Sequence, residues 1–324
     1  MFLDPNGRSF QYLRLSITDV CNYRCSYCLP NGYVEEAPRQ FLTPDEIRNL
    51  VTGFAGLGLW KVRLTGGEPT VRKDFSRIAA TISAIPGIRK VATTTNGYQL
   101  EKQAQLWRDA GIDAINVSID SLNRANFHRI TGMDHLPRVL AGIDAAERAG
   151  FNDIKINTVL LKGLNDHELG DFLAFVRNRN ISLRFIELME TGDNQAYFKK
   201  HHLSANVVID ALQSLGWSPM PRAPGAGPAQ VFSHPNHAGK IGIIAPYAKD
   251  FCTSCNRLRV TARGDLRLCL FGESGHNLRS LLQSPDQIPE LQHTITSLLQ
   301  QKSATHLLHF HKSGATKNLS ALGG

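Results

Sequence analysis

Three cysteines crowd one short stretch, Cys21-x3-Cys25-x2-Cys28, and three more stand at Cys252-x2-Cys255-x13-Cys269. Thiolates at such spacing suit a soft metal or an iron–sulfur cluster, and neither stretch has a fourth cysteine beside it. A four-iron cluster held by three cysteines keeps one iron open to a small molecule, as a catalytic zinc keeps an open position. The alternatives are a zinc knuckle or three unrelated buried cysteines for the first triad, and a zinc ribbon short of one ligand for the second. No cysteine is left over for a disulfide. Residues 1–8 have no charged region followed by an apolar one, so no signal peptide is expected and the thiols belong in a reducing, cytoplasmic setting.

Other residues point to an anionic ligand. The 324-residue chain carries a formal net charge of +8, which favours nucleic acid or a phosphorylated small molecule as partner. Its basic residues are scattered, which argues against nucleic acid. No apolar run approaches the ~20 residues that span a bilayer, so no membrane is expected. Lys155 and Asn157 share one face of a strand whose other face carries Ile154 and Ile156. If the apolar face meets helices, Lys155 points inward, a costly place for an unpaired charge that an anion would satisfy. Arg14, Arg63 and Arg184 follow the same logic, and guanidinium forks suit phosphate oxygens. The competing reading is an internal salt bridge to a carboxylate such as Glu68 or Glu187. Arg257 and Arg259 lie two apart and face one side of a strand, either toward a ligand or as a solvated edge pair. The turn Gly66-Gly67-Glu68-Pro69 lets backbone approach a ligand closely. His128, His167, His201 and His202 have no ligand spacing.

The elements that carry these residues alternate. Residues 11–17 read as a first strand running into the cysteine loop. Thr43-Pro-Asp-Glu46 is a capping box, followed by Ile47, Leu50, Val51 and Phe54 on one helical face. Further strands are predicted at 61–65, ending at 95–97, and at 114–119, 154–160 and 183–188, with helices between them. The expected fold is α/β, an incomplete TIM-type barrel of about six β/α units. The cysteine loop, the glycine turn, and the segments at Thr94, Ser118 and Glu187 then share one rim at the strand C-termini. A Pro/Gly-rich stretch at 218–228 divides this barrel, residues 1–217, from a smaller region, 218–324, that closes it. There the pattern predicts two β-hairpins, a helix over about 277–300, and a polar tail ending in Gly323-Gly324.

With those motifs placed, residues 11–190 resemble the radical S-adenosylmethionine superfamily, on the first cysteine triad with Tyr27 before its third member and on the Gly66-Gly-Glu-Pro turn. The second triad narrows this. So do Leu13-Arg-Leu-Ser-Ile-Thr-Asp-Val-Cys21, Lys61-Val-Arg-Leu-Thr-Gly-Gly-Glu-Pro69, Arg184-Phe-Ile-Glu-Leu-Met-Glu190 and Cys252-Thr-Ser-Cys-Asn-Arg-Leu-Arg259. Over essentially its whole length the chain resembles the GTP 3′,8-cyclase family of molybdenum cofactor biosynthesis.

That resemblance implies two 4Fe–4S clusters, one on Cys21, Cys25 and Cys28 and one on Cys252, Cys255 and Cys269. It implies S-adenosylmethionine contacts from Tyr27, Gly67, Ser118 and Met189. GTP would be contacted by Arg14, Arg63, Thr94, Lys155, Arg257, Leu258 and Arg259. Catalytic roles fall to Arg14, Arg257, Arg259 and the diglycine Gly323-Gly324, whose tail reaches the active site. The implied reaction turns GTP into (8S)-3′,8-cyclo-7,8-dihydroguanosine 5′-triphosphate. It needs an electron donor, and cyclic pyranopterin monophosphate synthase would follow it. The protomer would be a monomer or homodimer. Rival readings are a peptide maturase with an auxiliary cluster and a basic zinc-binding nucleic-acid protein.

Overall fold

The computed structural model describes residues 2–35, 40–222, 225–273 and 275–323. Its β/α alternation begins with β1 (Tyr12–Ser16) and α1 (Pro44–Gly56). Thr43 Oγ1 accepts from the Glu46 amide at 3.2 Å, and Glu46 Oε2 accepts from the Thr43 amide at 2.7 Å. This is the expected capping box, and it starts the helix where Pro44 loses nothing by lacking an N–H. Ile47, Leu50, Val51 and Phe54 are fully buried on the opposite face.

The chain continues through β2 (Lys61–Thr65), α2 (Phe75–Ser83), β3 (Lys90–Thr95), α3 (Leu100–Asp109), β4 (Ala114–Ser118), α4 (Arg124–Thr131) and α5 (Leu136–Arg148). Then come β5 (Ile154–Leu160), α6 (Leu169–Val176), β6 (Ser182–Glu187), α7 (Gln195–His201) and α8 (Asn206–Ser214). The six expected strands stand within two residues of their predicted ends, whereas α4, α7 and α8 were not anticipated.

Beyond them lie β7 (Ser218–Pro219), β8 (Gln230–Ser233), β9 (Lys240–Ile244), β10 (Arg257–Val260), β11 (Asp265–Arg267), β12 (His276–Asn277) and α9 (Ile288–Leu299). Both predicted hairpins are present, β8 with β9 and β10 with β11. Their first-layer strands join the main sheet: β10 pairs parallel with β1, and β9 parallel with β6. The result among the described residues is one sheet in the order β12-β11-β10-β1-β2-β3-β4-β5-β6-β9-β8-β7. It does not close on itself.

The helix predicted from about 277 starts instead at Ile288. Pro285 disfavours helical geometry at the residue before it, and Ser284 caps a single 3-10 turn over Pro285–Gln287. Pro289 then sits in the first turn of α9, where its missing N–H is harmless. No helix among the described residues is long and apolar enough to cross a membrane.

Candidate active site

Each strand alternates sides. On β1, Leu13 and Leu15 enter the core while Tyr12 and Arg14 face a cavity; on β2, Val62 and Leu64 enter the core while Lys61 and Arg63 face it. The same alternation puts Asn116 and Ser118 of β4, and Lys155 and Asn157 of β5, on the cavity side. All six cysteines line that same cavity.

The first triad sits on the loop leaving β1. Its backbone is docked to the end of α4, with the Arg24 amide donating to Thr131 O at 3.0 Å and the Ser26 amide to Ile130 O at 2.9 Å. The glycine turn after β2 clamps the same loop, since the Gly67 amide donates to Thr18 O at 3.0 Å and the Glu68 amide to Val20 O at 2.8 Å. A Cβ on Gly66 would lie 2.0 Å from Thr18 O, and one on Gly67 would lie 2.4 Å from Val20 O. Gly66 also has φ +142°. The protein's own chain just before Cys21 thus approaches too closely for any residue but glycine here.

Burial pushes the Cys21 thiol up to about 12, helped by the Glu68 charge. It pushes Cys28 up to about 11 against the Leu319 and Ser320 amides, and Cys25 well above the thiol range. Neighbouring thiols raise one another further. Ionised sulfurs are disfavoured here unless a cation compensates them, and an all-sulfur donor set of three half-buried cysteines fits an iron–sulfur cluster. The second triad flanks the β10–β11 hairpin, and all six cysteines are free thiols. Burial would raise Cys255, but the Arg257 and Lys302 charges outweigh it and hold this thiol below its usual range.

The floor of the cavity is cationic. Arg63 donates to Tyr12 Oη at 2.6 Å, to Thr93 O at 2.7 Å and to Thr94 Oγ1 at 3.3 Å. Arg14 Nη2 donates to Gly323 O at 2.9 Å, and Arg259 Nη1 donates to the same oxygen at 2.7 Å and to Leu322 O at 3.1 Å. Burial lowers Arg14 and Arg184 to about 10 and Lys61 to about 8, and mutual repulsion adds to it. Burial alone would raise the Tyr12 phenol, yet the Arg63, Arg14 and Lys61 charges draw it down to about 7.

Among the described residues, Glu68 and Glu187 form no salt bridge with Arg63, Arg184 or Lys155. Glu68 accepts from Thr70, Thr95 and Asn96, and Glu187 meets His202 at 2.8 Å. Lys155 does pair with Asp153 at the edge of the floor. Arg184 Nε is buried and has no hydrogen-bond partner among the described residues. Nor are Arg257 and Arg259 a solvated edge pair: β10 is flanked by β1 and β11, and Arg259 is 8% exposed.

Two family profiles match the chain: the Radical SAM superfamily over residues 15–176 and Molybdenum Cofactor Synthesis C over residues 181–308. The GTP 3′,8-cyclases of Stenotrophomonas maltophilia strains R551-3 and K279a are each 56% identical over 321 residues, covering 99% of this chain and 98% of theirs. The chain belongs to the GTP 3′,8-cyclase family.

Two solved structures share the fold of this cyclase-family chain. Streptococcus suis SuiB bound to S-adenosylmethionine superposes with TM-score 0.61 at 15% identity, covering 98% of this chain and 76% of SuiB. Native anSMEcpe with bound AdoMet gives 0.59 at 13% identity, covering 93% of this chain and 95% of its own.

Of the residues assigned in advance to S-adenosylmethionine, Tyr27, Gly67, Ser118 and Met189 all line the cavity. Of those assigned to GTP, Arg14, Arg63, Thr94, Lys155, Arg257 and Arg259 do so as well. Leu258 does not: its side chain is fully buried in the core on the far face of β10. Gly323 lies against Thr65 within the site, while Gly324 lies outside the described residues. Tyr12, Lys61 and Asn116 were missed as site residues, although the strand alternation that placed Arg14, Arg63 and Lys155 marks their faces too.

Proposed function

We propose that this chain is a radical S-adenosylmethionine GTP 3′,8-cyclase acting in molybdenum cofactor synthesis, with S-adenosylmethionine and two 4Fe–4S clusters as cofactors. The observation that carries this reading is one cavity lined by both cysteine triads and by a floor of buried cations. A peptide maturase would have no use for that floor, and a zinc nucleic-acid protein would have no use for a second enclosed triad.

Cys21, Cys25 and Cys28 would hold one cluster, and Cys252, Cys255 and Cys269 the other. When bound and given one electron by a donor, the first cluster with S-adenosylmethionine would supply a carbon-centred radical able to take the hydrogen from C3′ of GTP. The chain's own residues bind, orient and shield. Tyr27, Gly67, Ser118 and Met189 line the place for S-adenosylmethionine. Arg14, Arg63, Lys155, Arg257 and Arg259 would neutralise the triphosphate, with Thr94 beside it; Leu258 could contribute only its backbone. Gly323 would hold the forks of Arg14 and Arg259 in register. The sheet-lined cavity would shield the reacting carbons and hold C3′ facing C8 of guanine. Addition to C8 leaves a radical, so the dihydro product needs one electron from a donor and one proton.

We read the architecture as a partial barrel of β/α units over residues 1–217, with residues 218–324 carrying the second triad and lengthening both sheet edges. The protein would work in the cytoplasm as a monomer or homodimer and pass its product to cyclic pyranopterin monophosphate synthase.

The test is anaerobic reconstitution with iron and sulfide, then dithionite, S-adenosylmethionine and GTP, with products read by mass spectrometry. 5′-Deoxyadenosine and a cyclised nucleotide are expected together. S-Adenosylmethionine cleavage without any GTP-derived product, from protein carrying both clusters, would overturn the cyclase reading.

A further inference from the structure

Among the described residues lining the cavity, Asn116 and Asn157 are the carboxamides whose buried oxygens have no partner, alongside single unpaired atoms of Tyr23, Arg184 and His306. Asn116 is 3% exposed, and the Oδ1 atoms of both residues are buried without a partner. Neither side chain makes any hydrogen bond among the described residues. A buried carboxamide with no partner is costly, so both face a group that supplies hydrogen bonds when the site is filled.

Their positions say what group that is. Strand register sets Thr94, Asn116 and Lys155 side by side across β3, β4 and β5, and Ser118, Asn157 and Arg184 side by side one row nearer the strand ends. Asn157 lies two residues beyond Lys155, so the two amides are diagonal neighbours, on the order of 7 Å apart at the backbone. A furanose ring fits that span. Phosphate oxygens only accept hydrogen bonds, and the surrounding cations only donate them. A carboxamide does both, and so does a sugar hydroxyl.

GTP and S-adenosylmethionine each carry a ribose. Asn116 sits deeper than Ser118, flanked by Thr94 and Lys155 and close to the cationic floor that only the triphosphate ligand needs. We propose that Asn116 and Asn157 grip the ribose of GTP, Asn116 through the 2′-hydroxyl and Asn157 through the 3′-hydroxyl, and thereby set the position of C3′. The assignment rests on the cyclase reading given above.

The test is an equilibrium-binding cycle on anaerobic holoenzyme with both clusters and no reductant, so that nothing turns over. GTP, 2′-deoxy-GTP and 3′-deoxy-GTP are each measured with wild type, Asn116→Ala and Asn157→Ala, and S-adenosylmethionine affinity is measured separately. Wild type should prefer GTP over 2′-deoxy-GTP by roughly 5- to 20-fold, the effect of one hydrogen bond and one stranded amide. Asn116→Ala should discriminate less than about twofold while keeping its S-adenosylmethionine affinity, and Asn157→Ala should lose only the 3′-discrimination. Asn116→Ser, too short to reach the ligand but compatible with the strand, should repeat the result if the alanine variant folds poorly. Full discrimination surviving in Asn116→Ala overturns the proposal. So does a loss confined to S-adenosylmethionine affinity, which assigns the amides to the other ribose. Wild type that carries both clusters and binds no GTP sinks the cyclase reading itself, a result distinct from either.

Discussion

The carbonyl oxygen of Gly323 accepts a 2.7 Å hydrogen bond from Nη1 of Arg259. Arg14 reaches the same oxygen at 2.9 Å from the neighbouring strand. One backbone carbonyl near the chain's end thus pins two guanidinium forks in the floor of the cavity. The fit is tight, since a Cβ on Gly323 would lie 2.2 Å from Thr65 Oγ1, and φ is +63°.

Gly323→Ala should therefore dislodge the tail and free both arginines. We expect cyclised product to fall at least about tenfold, the penalty for misplacing groups that orient a reacting centre. Both clusters should remain, read by their absorbance and iron content. Wild-type turnover by this variant would remove the tail from the account of the site.

The two cysteine triads should separate by mutation. Cys28→Ser should lose about half the iron and all 5′-deoxyadenosine formation, because a four-iron cluster here depends on each of its three thiolates. Cys269→Ser should also lose about half the iron while keeping some S-adenosylmethionine cleavage and no GTP product. Iron content measured beside 5′-deoxyadenosine decides the matter. Unchanged iron in Cys269→Ser would mean that the second triad holds no cluster.

The floor of the cavity should recognise charge rather than base. Arg63 is held by Tyr12 and the Thr93 carbonyl, with its fork among Lys61, Lys155 and Arg184. Arg63→Met should weaken GTP binding by roughly 10- to 100-fold, the usual effect of removing a charge-assisted hydrogen bond, and leave guanosine binding nearly unchanged. Tyr12→Phe should have a smaller effect in the same direction by loosening Arg63. Titration calorimetry with both ligands gives the comparison, and equal losses for GTP and guanosine would show that the floor does not read phosphate.

What could be read in advance depended on whether the signal was local. β1 to β6 were legible because each alternates or runs apolar residues up to a turn, and α1 because Thr43 and Glu46 cap it. α4, with Phe127 and Ile130 as its main buried side chains, is too short for a clear period. The pairing of β10 with β1 and of β9 with β6 joins residues far apart in the chain, and no local pattern encodes it. The cysteines announced themselves by spacing. Asn116 did not, because one amide between Ile115 and Val117 looks the same whether it meets a ligand or a neighbouring backbone. Leu258 was assigned by position within a motif, and the alternation along β10 turns its side chain into the core.

The seam between the N-terminal helix and the C-terminal region should be pH-sensitive through Glu46. Its carboxylate accepts from Arg279 Nε at 2.8 Å and Gln283 Nε2 at 3.0 Å, besides capping α1. Burial would raise this group, but Arg279, the Thr43 amide and Gln283 outweigh it and lower it from 4.5 to about 2. The folded state therefore binds the proton less readily than the unfolded chain. The stabilisation is complete above about pH 4.5 and is lost as pH falls toward about 2. Glu46→Gln keeps the shape and capping ability but not the charge, so it should be less stable than wild type near neutrality by about 1–3 kcal/mol. That gap should narrow steadily from pH 5 to pH 3 in urea titrations of the two proteins. Other acidic groups titrate alike in both and cancel in the difference. A gap that stays constant over this range would mean that the Arg279 pairing contributes nothing through charge.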